Sequence, residues 1–340
     1  MDMPLKPNIL EDITKDHFII PPPPREKYVD MGLDQTMLED ESGRLRLTGG
    51  VLESQELVTG VIVAVLGTET ANGDFNVIDV KVPDLPSQMP IKSKPTSEVR
   101  RKKIAIASGL GISGSIHEGL ETHLLTEYLI GEAGGDEDHE SAASISRLIL
   151  AGNSLGEAHN PIDDLNTEEV RKSRTKKYGY DAAAYNPSPT KAFDAILSSL
   201  LQSISVTLMP GESDPANVSI PQQQLHAALF STAKLYDGST FERVTNPWAG
   251  DIDGMTVLAT SGQNLDDIYK YVEGDERLAM CENLLRWRNI APTAPDTLWS
   301  YPFQDDDPFV LEDEGCPHIF IIGNQPRYET KLVEGMFLFK

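Results

Sequence analysis

The chain is 340 residues long and 39% hydrophobic, with 26 glycines and 23 prolines, enough to bury one large core or two modest ones; two domains are expected. Lys plus Arg number 29 against 53 for Asp plus Glu, a formal charge of −24; that field repels a phosphate backbone, which binds mainly by counterion release, so nucleic acid is at most a weak or indirect ligand. The most apolar run, Val61 to Leu66, falls far short of the roughly 20 residues of a membrane span, and the first residues have neither an apolar signal core nor transit-peptide composition, so an intracellular, soluble protein with no membrane partner is expected.

In chain order, the first 40 residues read as a polar, irregular arm, stiffened by Pro21 to Pro24, which forbid helix. From Arg44 the runs RLRLTG, ELVTGVIVAVLG and FNVIDVKV are β-rich, and Ala71-Asn72-Gly73-Asp74 supplies hairpin chemistry, predicting a small antiparallel sheet or part of a barrel. Residues 82–103 carry four prolines and a basic cluster without period, so an interdomain linker is placed at 91–103. Beyond it, KIAIAS, the helix-spaced EGLETHLLTEYLIG and RLILAGN predict a βαβ unit. Polar stretches at 131–140 and 156–190 read as surface insertions. Ala192, Phe193, Ile196, Leu197, Leu200, Leu201 and Ile204 share one helix face before a strand in ISVTLMPG, and TVLAT and HIFIIGN add two more strands.

Five strands each run into a turn of small residues: IAIASGLG, LILAGN, VTLMPGESD, VLATSGQN and FIIGNQP. The carboxyl ends of such strands converge on one edge of an α/β core, so one pocket is expected there. A two-metal phosphoesterase needs carboxylates and imidazoles at that edge to hold its cations and activate a bridging water. The order and spacing resemble the calcineurin-like metallophosphoesterases, whose motifs run approximately D-x-H, G-D-x-x-D, G-N-H-[DE] and G-H-x-H. Laid on this chain, the first motif reads Ser108 and Leu110, the second Asn153 after Gly152, and the third Gly211-Glu212-Ser213-Asp214. The last reads Gly323-Asn324-Gln325-Pro326, with both histidines replaced. About one recognisable ligand remains where two metals want several each, so no cofactor is expected.

That pattern resembles the small (B) subunits of the eukaryotic replicative DNA polymerases, with wording nearest the delta members. The resemblance rests on PPPPREKY, LVTGVIVAVLG, SGLG, RLILAGNSL, MPGESDPANVSIPQQQLH, VTNPW, IDGMTVLATSGQN, LRWRNIAPTAPDTLWSYPF and CPHIFIIGNQP. It implies an α/β metallophosphoesterase-like core, a sheet sandwich flanked by helices and catalytically inactive, at 104–340. An N-terminal arm and partial oligonucleotide/oligosaccharide-binding (OB)-like antiparallel β domain would occupy 1–90. It implies a nuclear scaffold that bridges the delta catalytic subunit, through its cysteine-rich C-terminal module, to a third accessory subunit, with the zeta catalytic subunit as a further partner. Against this family's pattern the chain looks shortened at both ends, which would leave Met336 to Phe339 as an apolar strand without neighbours. Residues around Trp248 and Trp299 are candidate interface anchors. The alternatives are an active phosphodiesterase or exonuclease and an OB-type single-strand binder.

Plainer readings accompany the remaining motifs. Gly109, Gly111 and Gly114 match G-x-G-x-x-G, but no acidic residue ends a second strand at the distance a ribose contact requires, so they read as a tight turn. Cys281 and Cys316, 35 residues apart, read as two buried free thiols, and Cys316-Pro317-His318 is a weak zinc signal. His117, His123, His139, His159 and His226 are scattered along the chain and read as surface or core residues. Ser108, Ser213 and Ser261 lack the context of an activated nucleophile. The basic runs Lys92 to Lys103 and Arg171 to Lys177 fit solvated segments, with DNA contact or nuclear import as the sharper readings. The acidic clusters Asp305 to Asp307 and Glu312 to Glu314 fit loops.

Overall fold

The computed structural model describes residues 26–30, 32–91, 102–115, 119–157, 186–303 and 306–340. The proline arm at 21–24, Lys92 to Arg101, His117, most of the 156–190 segment with its basic run, and Asp305 lie outside the described residues. By packing, the chain forms two units. One comprises described residues within 1–88, 264–298 and 303–316; the other comprises those within 89–263, 299–302 and 317–340.

The second unit holds two sheets. Strands β5 (Lys103–Ala107), β6 (Ile145–Ala151), β7 (Ser205–Met209) and β8 (Phe241–Arg243) form an all-parallel sheet in chain order. Between β5 and β6 the chain passes through helices α1 (Leu120–Ile130) and α2 (Asp136–Ala143). Helix α3 (Ser188–Leu200) lies between β6 and β7. The second sheet is mixed, in the order β12-β13-β11-β10-β9. Its strands are β9 (Trp248–Ile252), β10 (Met255–Thr260), β11 (Ile319–Ile322), β12 (Thr330–Val333) and β13 (Met336–Phe339).

Period-two alternation distributes β6 between two cores. Leu148 and Leu150 face a cluster with Val206, Leu208, Phe193, Leu197 and Leu200, the buried face of α3. Ile149 and Ala151 face the other way, into a cluster with Met209, Trp248, Val257, Ala259, Ile319 and Ile321 that joins the two sheets. The result is a sheet sandwich with a helix on its outer face, and each fully buried Phe or Leu contributes about 1.5–3 kcal/mol. Asp194, on the same helix, ties α3 to the 231–233 turn: it accepts from the Ser231 hydroxyl at 2.7 Å, the Thr232 N–H at 2.9 Å and the Ala233 N–H at 2.9 Å.

The 131–140 stretch, read as a surface insertion, is exposed from Gly134 to Glu140 and carries the start of a helix the sequence did not announce: α2 begins at Asp136, where the Asp138 carboxylate accepts the Gly135 N–H at 3.0 Å and acidic residues crowd the helix N-terminus. Two expectations are corrected in this unit. Met336 to Phe339 is no uncovered edge, because β13 pairs parallel with β11 and antiparallel with β12, burying Met336 and Leu338. Trp248 is a core residue rather than a surface anchor, 7% exposed between the sheets, whereas Trp299 is 64% exposed.

The first unit contains β1 (Met37–Asp40), β2 (Gly43–Thr48), β3 (Ala64–Glu69) and β4 (Phe75–Lys81), in the order β1-β2-β4-β3. The sheet is not purely antiparallel: β2 and β4 run parallel through Leu47↔Phe75 and Thr48↔Asn76, while the other pairs are antiparallel. Strand β1 lies in the stretch read as irregular, its Leu38 partly buried against Leu47, Val77 and Val80. The expected hairpin forms, with Gly73 at φ +84° between β3 and β4. Helices α4 (Gln263–Tyr269) and α5 (Arg277–Arg286) bury Leu265, Ile268, Met280, Leu284 and Leu285. Both cysteines are buried and outside any disulfide. No helix among the described residues is long and apolar enough to cross a membrane.

Candidate functional site

The five turns predicted to meet do meet, and hydrogen bonds join them. After β5, the Gly109 N–H donates to Gly152 O at 3.0 Å and the Gly111 N–H to Asn153 O at 3.1 Å, knitting this turn to the one after β6. Gly109, Gly111 and Gly114 all have positive φ, which supports the tight-turn reading. After β11, the Asn324 N–H donates to Ser108 Oγ at 2.9 Å. The Asn324 side-chain amide donates to Ser261 O at 2.8 Å and Ala151 O at 3.3 Å, reaching the ends of β10 and β6. After β7, the Ser213 N–H donates to Asn153 Oδ1 at 3.1 Å and its hydroxyl donates to Leu155 O at 2.6 Å.

Backbone geometry explains two of the residue choices. Asn153 and Asn324 sit in the left-handed region at φ 54° and 57°, which asparagine tolerates better than other side chains. Gly211 has no room for a side chain: a Cβ there would lie 2.3 Å from Asn153 Oδ1 and 2.4 Å from the Asn153 backbone nitrogen.

Of the residues carried over from the metal motifs, Asp214 alone is a buried carboxylate. It is 5% exposed and accepts the Leu155 and Gly211 N–H groups, each at 2.8 Å. Burial pushes its carboxyl pKa upward, against the lowering pull of the backbone N–H groups of Leu155, Gly211, Ser154 and Asn153. Glu212, Ser213, Ser108 and Pro326 are exposed, and Leu110 packs partly buried against the helix-side core.

Sequence reasoning did not single out Gln222 and Asn246. Asn246 Nδ2 lies 2.7 Å from each of Gln222 Oε1, Ser261 Oγ and Gln263 Oε1, and its Oδ1 accepts the Ser261 N–H at 3.1 Å. Gln222 in turn donates to Gly211 O at 3.1 Å. The signal was present in VTNPW and SIPQQQLH, but uncharged amides carry no metal-ligand pattern to notice.

The edge is therefore furnished with amides, hydroxyls and peptide groups. Among the described residues, no group of three or more His, Cys, Asp or Glu is placed to hold a metal ion. The donors do not fit the cation pair of the calcineurin-like enzymes, since the one buried carboxylate already spends its oxygens on peptide N–H groups.

Compared with known proteins, residues 104–331 match the family of B subunits of DNA polymerases alpha and epsilon. The chain belongs to that family. Residues 1–80 match a second family, the OB-fold domain of the DNA polymerase delta subunit. Among similar proteins, the DNA polymerase delta small subunit of Arabidopsis thaliana is 38% identical over 98% of this chain and 71% of its own length. That of Oryza sativa is 37% identical over 98% and 73%. That of Saccharomyces cerevisiae is 37% identical over 98% and 70%. For this member of the B-subunit family, the convergent turns make the edge of the sandwich the natural place to look for altered chemistry.

Proposed function

We propose that this chain is the small, non-catalytic subunit of DNA polymerase delta, a nuclear scaffold in DNA replication and repair. It joins the catalytic subunit, through that subunit's cysteine-rich C-terminal module, to a further accessory subunit, and also serves the zeta catalytic subunit. The reading is supported by membership of the B-subunit family and by the similarity to delta small subunits across nearly the whole chain. The observation that carries the non-catalytic part is the chemistry of the edge: a phosphoesterase-like arrangement of turns furnished with neutral amides and one carboxylate bound by peptide N–H groups. Without anions and imidazoles to hold two cations, phosphoester hydrolysis has no attacking hydroxide.

On this reading residues 1–90 comprise an arm and a partial OB-like domain, 91–103 the linker and 104–340 the phosphoesterase-like domain. Ser108, Leu110, Asn153, Glu212, Ser213, Asp214, Asn324 and Pro326 are the vestiges of a metal pocket. Trp299, exposed beside Tyr301, is the favoured interface anchor.

Co-expression with the cysteine-rich module of the delta catalytic subunit, followed by size-exclusion chromatography, tests the assignment. Co-elution in a fixed ratio is the expected result, and two separate peaks would overturn it. The purified chain should bind no stoichiometric Mn²⁺ and cleave no aryl phosphodiester; two Mn²⁺ per chain with turnover would make it an enzyme instead. Salt-insensitive, weak retention of single-stranded DNA in a filter titration would separate the scaffold from an OB-type strand binder.

A further inference from the structure

A different part of the chain carries a built receptor for a primary ammonium group. In the first packing unit, Lys27 Nζ lies 2.7 Å from Val272 O, 2.7 Å from Glu273 O and 2.8 Å from Gly274 O. A lysine ammonium has three N–H donors and no acceptor, so three converging carbonyls satisfy it completely. The same nitrogen lies 4.0 Å from the centroid of the Tyr269 ring, where the electron-rich π system attracts a cation. Arg277 also lies against that ring, 4.3 Å from its centroid. These carbonyls belong to the segment between α4 and α5, where no helix supplies them with N–H partners.

The neighbouring residues dock at the same place. The Tyr28 and Val29 N–H groups both donate to Lys270 O, at 2.7 and 3.2 Å, and the Tyr28 ring meets Tyr271 edge-on at 5.6 Å between centroids. Residues 26–29 have no strand or helix of their own, so these contacts fasten them.

We propose that residues 269–274 form an ammonium receptor, three carbonyl oxygens and the Tyr269 face, which Lys27 fills in cis to latch residues 26–29 onto the first unit. The receptor reads N–H donors as well as charge, so a lysine fits and a planar guanidinium, whose donors diverge in one plane, fits poorly. Neutralising the nitrogen, as acylation of Lys27 would do, leaves three carbonyls without their charged donor and opens the latch.

Hydrogen exchange of the full chain tests this. Lys27→Ala should speed exchange of the Tyr28 and Val29 amides by roughly tenfold or more, the loss of one or more charge-assisted hydrogen bonds, while β6 and β7 amides stay as in wild type. Lys27→Arg should fall between the two. Adding n-propylammonium to Lys27→Ala should fill the empty receptor and slow exchange of the 272–274 amides, without re-tethering Tyr28 and Val29, whereas propyltrimethylammonium, equally charged but without N–H donors, should leave the 272–274 amides as they are. Unchanged exchange at Tyr28 and Val29 in Lys27→Ala, loss of protection spread equally over β6 and β7, or equal protection of the 272–274 amides by both cations would each overturn the proposal.

Discussion

Substituting Asp214 asks most directly whether the edge is held together by peptide hydrogen bonds or built for a cation. In Asp214→Ala, the Leu155 and Gly211 N–H groups, each now bonded at 2.8 Å to a carboxylate oxygen, are left buried without acceptors. Each such group costs about 1–3 kcal/mol, and removing the charge returns part of its burial penalty, so a net loss of about 2–4 kcal/mol is expected. Asp214→Asn keeps one acceptor and removes the charge. Because burial already pushes this carboxyl pKa upward, the fold tolerates a neutral group there, and a loss under about 1.5 kcal/mol is expected. The sign can be tested with pH. A carboxyl whose folded pKa lies above its unfolded value contributes stability that is fully present below the unfolded pKa and lost as pH rises through the folded one. Wild type should therefore lose a stability increment over that window that Asp214→Asn does not lose. Urea titration monitored by exchange of β6 and β7 amides gives both quantities. The reasoning is refuted if Asp214→Ala lies within about 0.5 kcal/mol of wild type, or if Asp214→Asn is the worse of the two.

Asp194 predicts the opposite slope. Burial alone would raise its pKa, but the Ala233 N–H, the Ser231 hydroxyl and the Thr232 N–H outweigh burial and hold it below the usual carboxylate value. The resulting stability is present above the unfolded pKa and lost as pH falls through the folded one, so Asp194→Asn should flatten the acid limb of a melting-temperature profile below the ordinary carboxylate value. Leu338→Ala, at a fully buried position of β13, should cost about 2–5 kcal/mol in chemical denaturation. Loss of under about 1 kcal/mol would mean that the final strand is not part of the core in solution.

What the sequence disclosed follows the physics of its signals. Strands β5, β6, β7, β10 and β11 are short apolar runs ending in small residues, and the parallel pairing of β5 with β6 follows from the helix-spaced segment between them, whereas the parallel pairs β6–β7 and β10–β11 emerge only from the assembled sheets. Strand β1 and helix α2 were missed for a common reason: MLED and DEDHESAA have little apolar periodicity, and α2 is held by charge at its N-terminus and the return of Asp138 to Gly135. Strand β13 was legible as apolar but not as paired, because its partners β11 and β12 become visible only once the sheet is assembled. Trp248 shows the same limit. An aromatic residue near a turn suggests a surface anchor, and only the packing of one sheet on another reveals that the ring fills the space between them.

The candidate site was legible by subtraction. The strand-to-turn spacing located the positions, and the residue types there showed that carboxylates and imidazoles were scarce, but neither showed which side chains join the five turns. The structure supplies a physical answer in the paired donor and acceptor character of amides. Asn324 donates from its side chain to carbonyls at the ends of β6 and β10, Asn153 accepts across to the turn after β7, and Asn246 joins Gln222, Ser261 and Gln263. A metal ion organises loops by drawing oxygens toward positive charge, and these side chains link similarly placed loops by hydrogen bonding without charge. Asn153 and Asn324 also occupy left-handed backbone positions that a β-branched residue would strain. Replacing Asn324 with Asp would put an anion where its side-chain amide now donates to the Ala151 and Ser261 carbonyls, so Asn324→Asp should weaken the fold in chemical denaturation, whereas Asn153→Asp keeps the oxygen that accepts the Ser213 N–H and should cost less.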